Sequence, residues 1–137
     1  MMLSGIVLSG GNAAWRGKEL PDGVLGGILT ANNIARLDLS GTEMVVLSAC
    51  QSGQGKATSE GLYGLQRAFK KAGVGTMVMA LWSVSDKVAT EFMTAFYEQL
   101  ASKQCKWNKR KAFENAKSII REKYPDPYYW AAFVMLD

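Results

Sequence analysis

The sequence contains no histidine. Without an imidazole it cannot by itself supply the usual general base, a proton shuttle at neutral pH or the commonest metal ligand. Cysteine is scarce too: Cys50 and Cys105 are the only two. They are too few for a disulfide framework, so a reducing, cytoplasmic setting is the expectation. Proline occurs three times in 137 residues, and no low-complexity tract is present. With 48% hydrophobic residues against 20% charged, the chain is not of the disordered class and suffices for one compact domain with a sizeable core. No apolar run reaches the roughly 18–20 residues that cross a bilayer. The opening MMLSGIVLSGGN has no basic n-region and does not read as a signal peptide.

The charge balance is mild, at +4. The one local cluster is Lys103, Lys106, Lys109, Arg110 and Lys111. It reads as the solvated start of a helix, with no aromatic stacking motif beside it, so neither a nucleic-acid nor a membrane partner is expected. No cofactor and no metal are expected either.

The pattern along the chain is that of an α/β protein. Gly5–Ser9 is a short strand candidate, followed by a Gly-rich loop at Gly10, Gly11 and Asn12, and Trp15–Gly27 reads as loop. Thr30 is placed to cap a short helix with Ile34 and Leu37 on one face, ending near Gly41. Met44–Ala49 is a continuous apolar, β-branched run, as for a strand buried on both faces. Leu62, Leu65, Phe69 and Ala72 recur at helical spacing, with Lys70, Lys71 and Gly73 as an ending. Thr76–Leu81 is a second buried strand. Ser85 then caps a helix with Val88, Phe92, Phe96 and Leu100 on one face. Asn108 opens another helix carrying Ala112, Ala116 and Ile119, which stops before Pro125, and Tyr128–Leu136 is the last strand. Strands alternating with helices predict right-handed crossovers and a mainly parallel sheet with flanking helices, in one domain spanning residues 1–137.

In such sheets ligands bind beyond the carboxyl ends of the strands. Cys50 and Asp86 both fall there. Cys50 is either a small core hydrophobe or a nucleophile, and the local pattern leaves both readings open. Its small neighbours Ser48 and Ala49, and the following Gln51-Ser52-Gly53, suit a turn that aims backbone N–H groups at an oxyanion. Asp86 is an ordinary first-turn helix acid or a receptor for a cation. Trp82 is either a pocket wall or an end-of-strand core residue. Gly53, Gly55 and Lys56 suggest a phosphate loop, but that pattern places its first glycine at Cys50 and its hydroxyl at Ala57, so the match fails. Cys105, between Lys103 and Lys106, resembles no active site.

The segments LSAC, EGLYGLQRAF and LWSVSD, with the later PYYWAAFVML, together resemble the CHAT domain family. These are caspase-like cysteine peptidase domains related to separase, often found behind TPR repeats. The resemblance implies a caspase/hemoglobinase-like fold with Cys50 as nucleophile. It also puts the Cys50 amide and Gly53 near the oxyanion site. Asp86, with Trp82 in the same segment, matches the acidic position that receives a basic P1 side chain, and a carboxylate in a partly dry pocket suits Arg or Lys. Glu60 falls in the family's SEG segment and receives no role.

The family pairs its Cys with a His-Gly motif, which this sequence lacks. The opening resembles the segment after that motif, so the expectation is a truncated domain, inactive alone, that cleaves after a basic residue when the His-bearing half is present. The expected partners are a protein or peptide substrate, that missing half or TPR repeats, and a second copy through an exposed sheet edge. A pseudo-peptidase that binds peptides as a scaffold is the alternative. A phosphate or nucleotide binder using the Gly53–Lys56 loop is the third.

Overall fold

A computed structural model of the chain describes residues 5–9, 11–19, 22, 26–47 and 59–137. They fall into two compact units. The first holds β1 (Gly5–Val7), α1 (Gly11–Trp15), β2 (Ile28–Thr30), α2 (Ala31–Ile34) and α3 (Ser59–Lys71). The second holds β3 (Met44–Leu47), β4 (Thr76–Ala80), α4 (Asp86–Ala101), α5 (Lys109–Lys123), α6 (Pro127–Trp130) and β5 (Phe133–Leu136).

In the first unit β1 and β2 pair antiparallel, Ile6 opposite Leu29. Three-residue strands carry no readable period, which is why β2 was not anticipated. The expected Gly-rich loop is in part helix α1. Gly11 is buried, and a Cβ there would meet the Gly27 carbonyl oxygen and a Val7 methyl at 2.6 Å each. Its glycine therefore serves close approach rather than a turn.

Thr30 caps α2 as the sequence suggests, in a reciprocal box: its Oγ1 accepts from the Asn33 amide while the Asn33 side chain accepts from the Thr30 amide. The helix stops at Ile34 rather than near Gly41, leaving Leu37 exposed. The competing structure is local. Asp38 Oδ1 accepts from both the amide (3.1 Å) and the hydroxyl (2.6 Å) of Ser40, and the same bonds hold the Asp38 carboxyl below its ordinary pKa. At the end of α3, Lys70 Nζ donates to the Gly75 carbonyl at 2.9 Å. Gly73 turns the chain with φ +100°, where a Cβ would press to 2.9 Å from Ser40 Cα.

The second unit is a three-stranded sheet ordered β3-β4-β5. β3 runs parallel to β4, with Met44 opposite Thr76 and Leu47 opposite Met79. β5 runs antiparallel to β4, with Ala80 opposite Phe133. The mixed α/β class stands, but the mainly parallel sheet does not: among the described residues one strand pairing of three is parallel. The reason lies in α4 and α5. Gln99 meets Asn115 and Glu91 meets Lys123, so the two helices form an antiparallel hairpin. One crossover helix returns the chain to the start of the sheet, but two bring it back to the end it left, and the next strand must descend.

Central β4 is buried throughout, as its apolar run predicts. β3 is only half-buried along its length, against the expectation of burial on both faces. It stands at the end of the strand order, and among the described residues it pairs with β4 alone.

Val78, Ala80, Phe133 and Met135 face α4 and α5 in one core with Val88, Phe92, Phe96, Phe113, Ala116 and Ile120. The inward residue near the end of α5 is Ile120, not the predicted Ile119, which is exposed. The expected last strand begins in helix. Asp126 accepts from the Tyr128 amide at 2.9 Å and Pro127 occupies the first helical turn, a start signal that overrides the aromatic run behind it. Trp130 of α6 lies against α5 with Arg121 and Lys117 over its ring at 5.2 and 5.6 Å.

One ion pair ties the hairpin at its far end. Lys123 Nζ donates to Glu91 Oε1 at 2.9 Å. The ammonium holds the Glu91 carboxyl below its ordinary pKa, and the carboxylate raises that of Lys123. A lowered folded-state carboxyl contributes stability that is present above the unfolded pKa and lost as pH falls through the folded one. Wild type should therefore lose stability between about pH 5 and pH 3 more steeply than Glu91→Gln, as read by urea midpoints across that range. Parallel profiles would remove the ion pair from the account.

Candidate functional site

β3 and β4 are neighbours and parallel. Their carboxyl ends therefore lie at one edge of the sheet, which is the condition the sequence argument required for Cys50 and Asp86 to rise together. Cys50 and Gly53 themselves, and the Lys56 loop, lie outside the described residues. Glu60 belongs to α3.

Asp86 is the first residue of α4. Ser85 precedes it in extended conformation (φ −61°, ψ 147°), its side chain accepting from the Val88 amide at 3.4 Å. This cap forms because a hydroxyl satisfies a helix-start amide that has no partner within the helix. The Asp86 carboxylate thus stands at the positive end of a 16-residue helix. It is exposed. It lines an open, shallow depression of about 480 Å³ with Ala89, Thr90, Met93, Thr94 and Tyr97, a stripe along one side of α4. Such a site offers one negative charge, a methyl and thioether floor, and hydroxyls along its length. An extended cationic side chain with an aliphatic stem fits that composition.

Trp82 is not among the residues lining this depression. It is half-buried, packs on the main core and is occupied in a clasp. Its Nε1 donates to the Tyr128 carbonyl at 2.8 Å, and the Tyr128 hydroxyl donates back to the Ser83 carbonyl at 2.6 Å. The two rings lie tilted with centroids 6.4 Å apart. The clasp fixes the Leu81–Ser85 segment, and with it the start of α4, against α6. Tyr128 is the member of this clasp that the sequence places in a strand instead. A partner 46 positions away leaves no local signal.

Cys105 is buried beside Asn115, whose Nδ2 donates to it at 3.5 Å and to Gln99 Oε1 at 2.9 Å. It is a core sulfur in a polar bracket. Among the described residues no three His, Cys, Asp or Glu side chains gather where a metal ion could sit, and no helix is long and apolar enough to cross a membrane.

With this geometry in place, comparison with known proteins decides the family: the CHAT domain profile matches residues 2–137. The chain belongs to the CHAT domain family. Its kinship is with caspase-like peptidases. It is similar to tetratricopeptide repeat protein 28 of Mus musculus, 33% identical over 114 residues, which is 80% of this chain and 4% of that protein. The Homo sapiens protein of the same name is 29% identical over 111 residues, with the same coverage. This CHAT domain chain thus spans about 4% of the length of the curated relatives it matches. No solved structure matches it significantly.

Proposed function

We propose that this CHAT domain is the Cys50-bearing portion of a cysteine endopeptidase that cleaves after a basic residue. In this reading Cys50 is the nucleophile, the Cys50 amide and Gly53 receive the oxyanion, and Asp86 receives the P1 Arg or Lys, with Trp82 holding the segment that carries Asp86. The fold is of the caspase/hemoglobinase kind. The observation that carries the reading is the parallel pairing of β3 with β4, which brings both carboxyl ends to one edge in a chain whose family is related to caspase-like peptidases.

Chemistry then proceeds by attack of the thiolate on the P1 carbonyl carbon, giving a thioester and an amine that must be protonated to leave. The imidazole that takes and returns this proton comes from beyond the present sequence, which has none. TPR repeats, named in the similar proteins, are the proposed accompanying module.

The absence of histidine favours a second reading, in which the same surface grips a basic peptide without cutting it. A chloromethyl-ketone peptide with Arg at P1 separates the two. If Cys50 is poised as a nucleophile, the Arg peptide alkylates it about fivefold faster than a Leu peptide, the worth of one solvent-exposed ion pair. Asp86→Ala then removes the preference. Buried Cys105 stays unlabelled in both cases and serves as the internal control. Equal labelling by both peptides would refute the assignment of Asp86. Saturable, Asp86-dependent binding of the Arg peptide with no alkylation would establish the scaffold instead.

A further inference from the structure

The loop joining α4 to α5 carries a feature that neither the core nor the proposed site uses. Lys106 and Trp107 stand consecutively at φ 46° and 62°. That region is costly for side-chain-bearing residues, and more so two in a row. The loop is nevertheless well fixed. Cys105 is buried beneath it and its amide donates to Ser102 Oγ at 3.2 Å, while the Lys106 amide donates to the Ser102 carbonyl at 3.0 Å and the Asn108 amide to the Cys105 carbonyl at 2.8 Å. The outcome is an indole 70% exposed, more than any other large hydrophobic side chain among the described residues.

In sequence it is flanked by Lys103, Lys106, Lys109, Arg110 and Lys111, and residues 99–113 contain no acid at all. The chain holds sixteen cations and twelve acids, so with these five removed the remainder has eleven against twelve and is net −1. The entire positive excess of the sequence therefore falls within the nine residues 103–111, with this exposed tryptophan among them. Lys109, Arg110 and Lys111 moreover occupy the first turn of α5, which holds no acidic residue and where the helix dipole disfavours cations.

We propose that the Trp107 loop is a peripheral docking tip for an anionic phospholipid surface. The chemistry favours lipid over other anionic partners. Arg110, the one side chain suited to forked recognition of a carboxylate, is committed to Asp137 at the end of β5. The other four cations of the segment are lysines, point charges on flexible stems that suit smeared negative charge. A single indole on a protruding turn has no groove and no second stacking platform, as strand-like nucleic acids require. An indole ringed by lysines matches the headgroup boundary, where the ring is half-solvated and the ammonium groups meet phosphate. Read from sequence this cluster is a solvated helix start with no aromatic stacking motif, because Trp107 shows its exposure only once the backbone is known.

The test is co-sedimentation of the purified chain with vesicles of phosphatidylcholine and phosphatidylserine at 70:30, against pure phosphatidylcholine. Binding is expected only to the mixed vesicles, with a blue shift in emission that Trp107→Phe abolishes, and release on raising salt. Trp107→Ala should weaken partition roughly tenfold. The double variant Lys103→Glu, Lys106→Glu leaves the loop backbone alone and should weaken it more than a hundredfold, at about fivefold for each unit of charge removed. Equal binding to both vesicle types, no binding to either, or unchanged binding by the double variant would overturn the proposal. So would tighter association with oligouridylate or polyglutamate than with the mixed vesicles.

Discussion

Replacing Phe92 by alanine should lower the unfolding free energy by about 3–5 kcal/mol, the usual cost of emptying a closed aromatic site. Phe92 is fully buried on α4. Its ring lies flat on Phe133 of β5, with centroids 3.8 Å apart and planes within 1°. It also meets Phe113 of α5 edge-on at 5.5 Å and Phe96 at 6.5 Å. This one side chain therefore joins the sheet to both helices of the hairpin. None of its neighbours can move into the void without abandoning the others, so little of the cavity collapses. In a domain of this size the loss corresponds to a fall of roughly 10–20 °C in melting temperature. Phe92→Leu, which keeps most of the volume, should cost less than half as much. A melting temperature within 3 °C of wild type for the alanine variant would mean that this aromatic contact is not what joins the layers.

Phe92 belongs to the part of the fold that was legible in advance. Its helix was readable because two signals coincide there: the hydroxyl cap at Ser85 and an apolar face at Val88, Phe92, Phe96 and Leu100, all four buried. β4 was readable because both its faces are covered, so its burial is written as an unbroken apolar run. What failed depends on partners distant in sequence. Strand direction turned on α4 and α5 pairing as a hairpin, and no residue of β5 encodes that. At Tyr128 the aromatic run argued for a strand, yet Asp126 and Pro127 had already supplied a helix start, the more local and stronger signal.

The candidate site divides along the same line. That the carboxyl ends of β3 and β4 share an edge follows from their parallel pairing. That Trp82 is spent in a clasp with Tyr128 depended on contacts across more than forty residues. The partly dry acidic pocket of the sequence argument is, among the described residues, an open stripe on a helix. In the proposed reading, selectivity at such a place comes largely from the peptide drying the carboxylate as it binds.

Purified chain should hydrolyse an Arg-amide peptide no faster than its own Cys50→Ala variant. Two deficits compound. An ordinary thiol, with a pKa of about 8.5, is only a few per cent thiolate at neutral pH. The second is the leaving amine, which departs only when protonated, and a positioned acid–base group contributes about 10²–10⁴-fold to such a step. Soluble imidazole cannot replace it at practical concentrations. A group held in place acts at an effective concentration that reaches about 10⁵ M or more, so 0.1 M imidazole recovers a negligible share.

A p-nitrophenyl ester of the same Arg peptide removes the second deficit, because p-nitrophenolate leaves without a proton. The ester should therefore give a Cys50-dependent release of one equivalent of p-nitrophenol, with the acyl group retained as a thioester, while the amide stays intact. If neither substrate reacts through Cys50, the sulfur is no nucleophile and the scaffold reading stands. If the amide is cleaved at more than about a hundredth of an ordinary peptidase turnover, some group other than imidazole moves the proton, and the need for a histidine from beyond this sequence disappears.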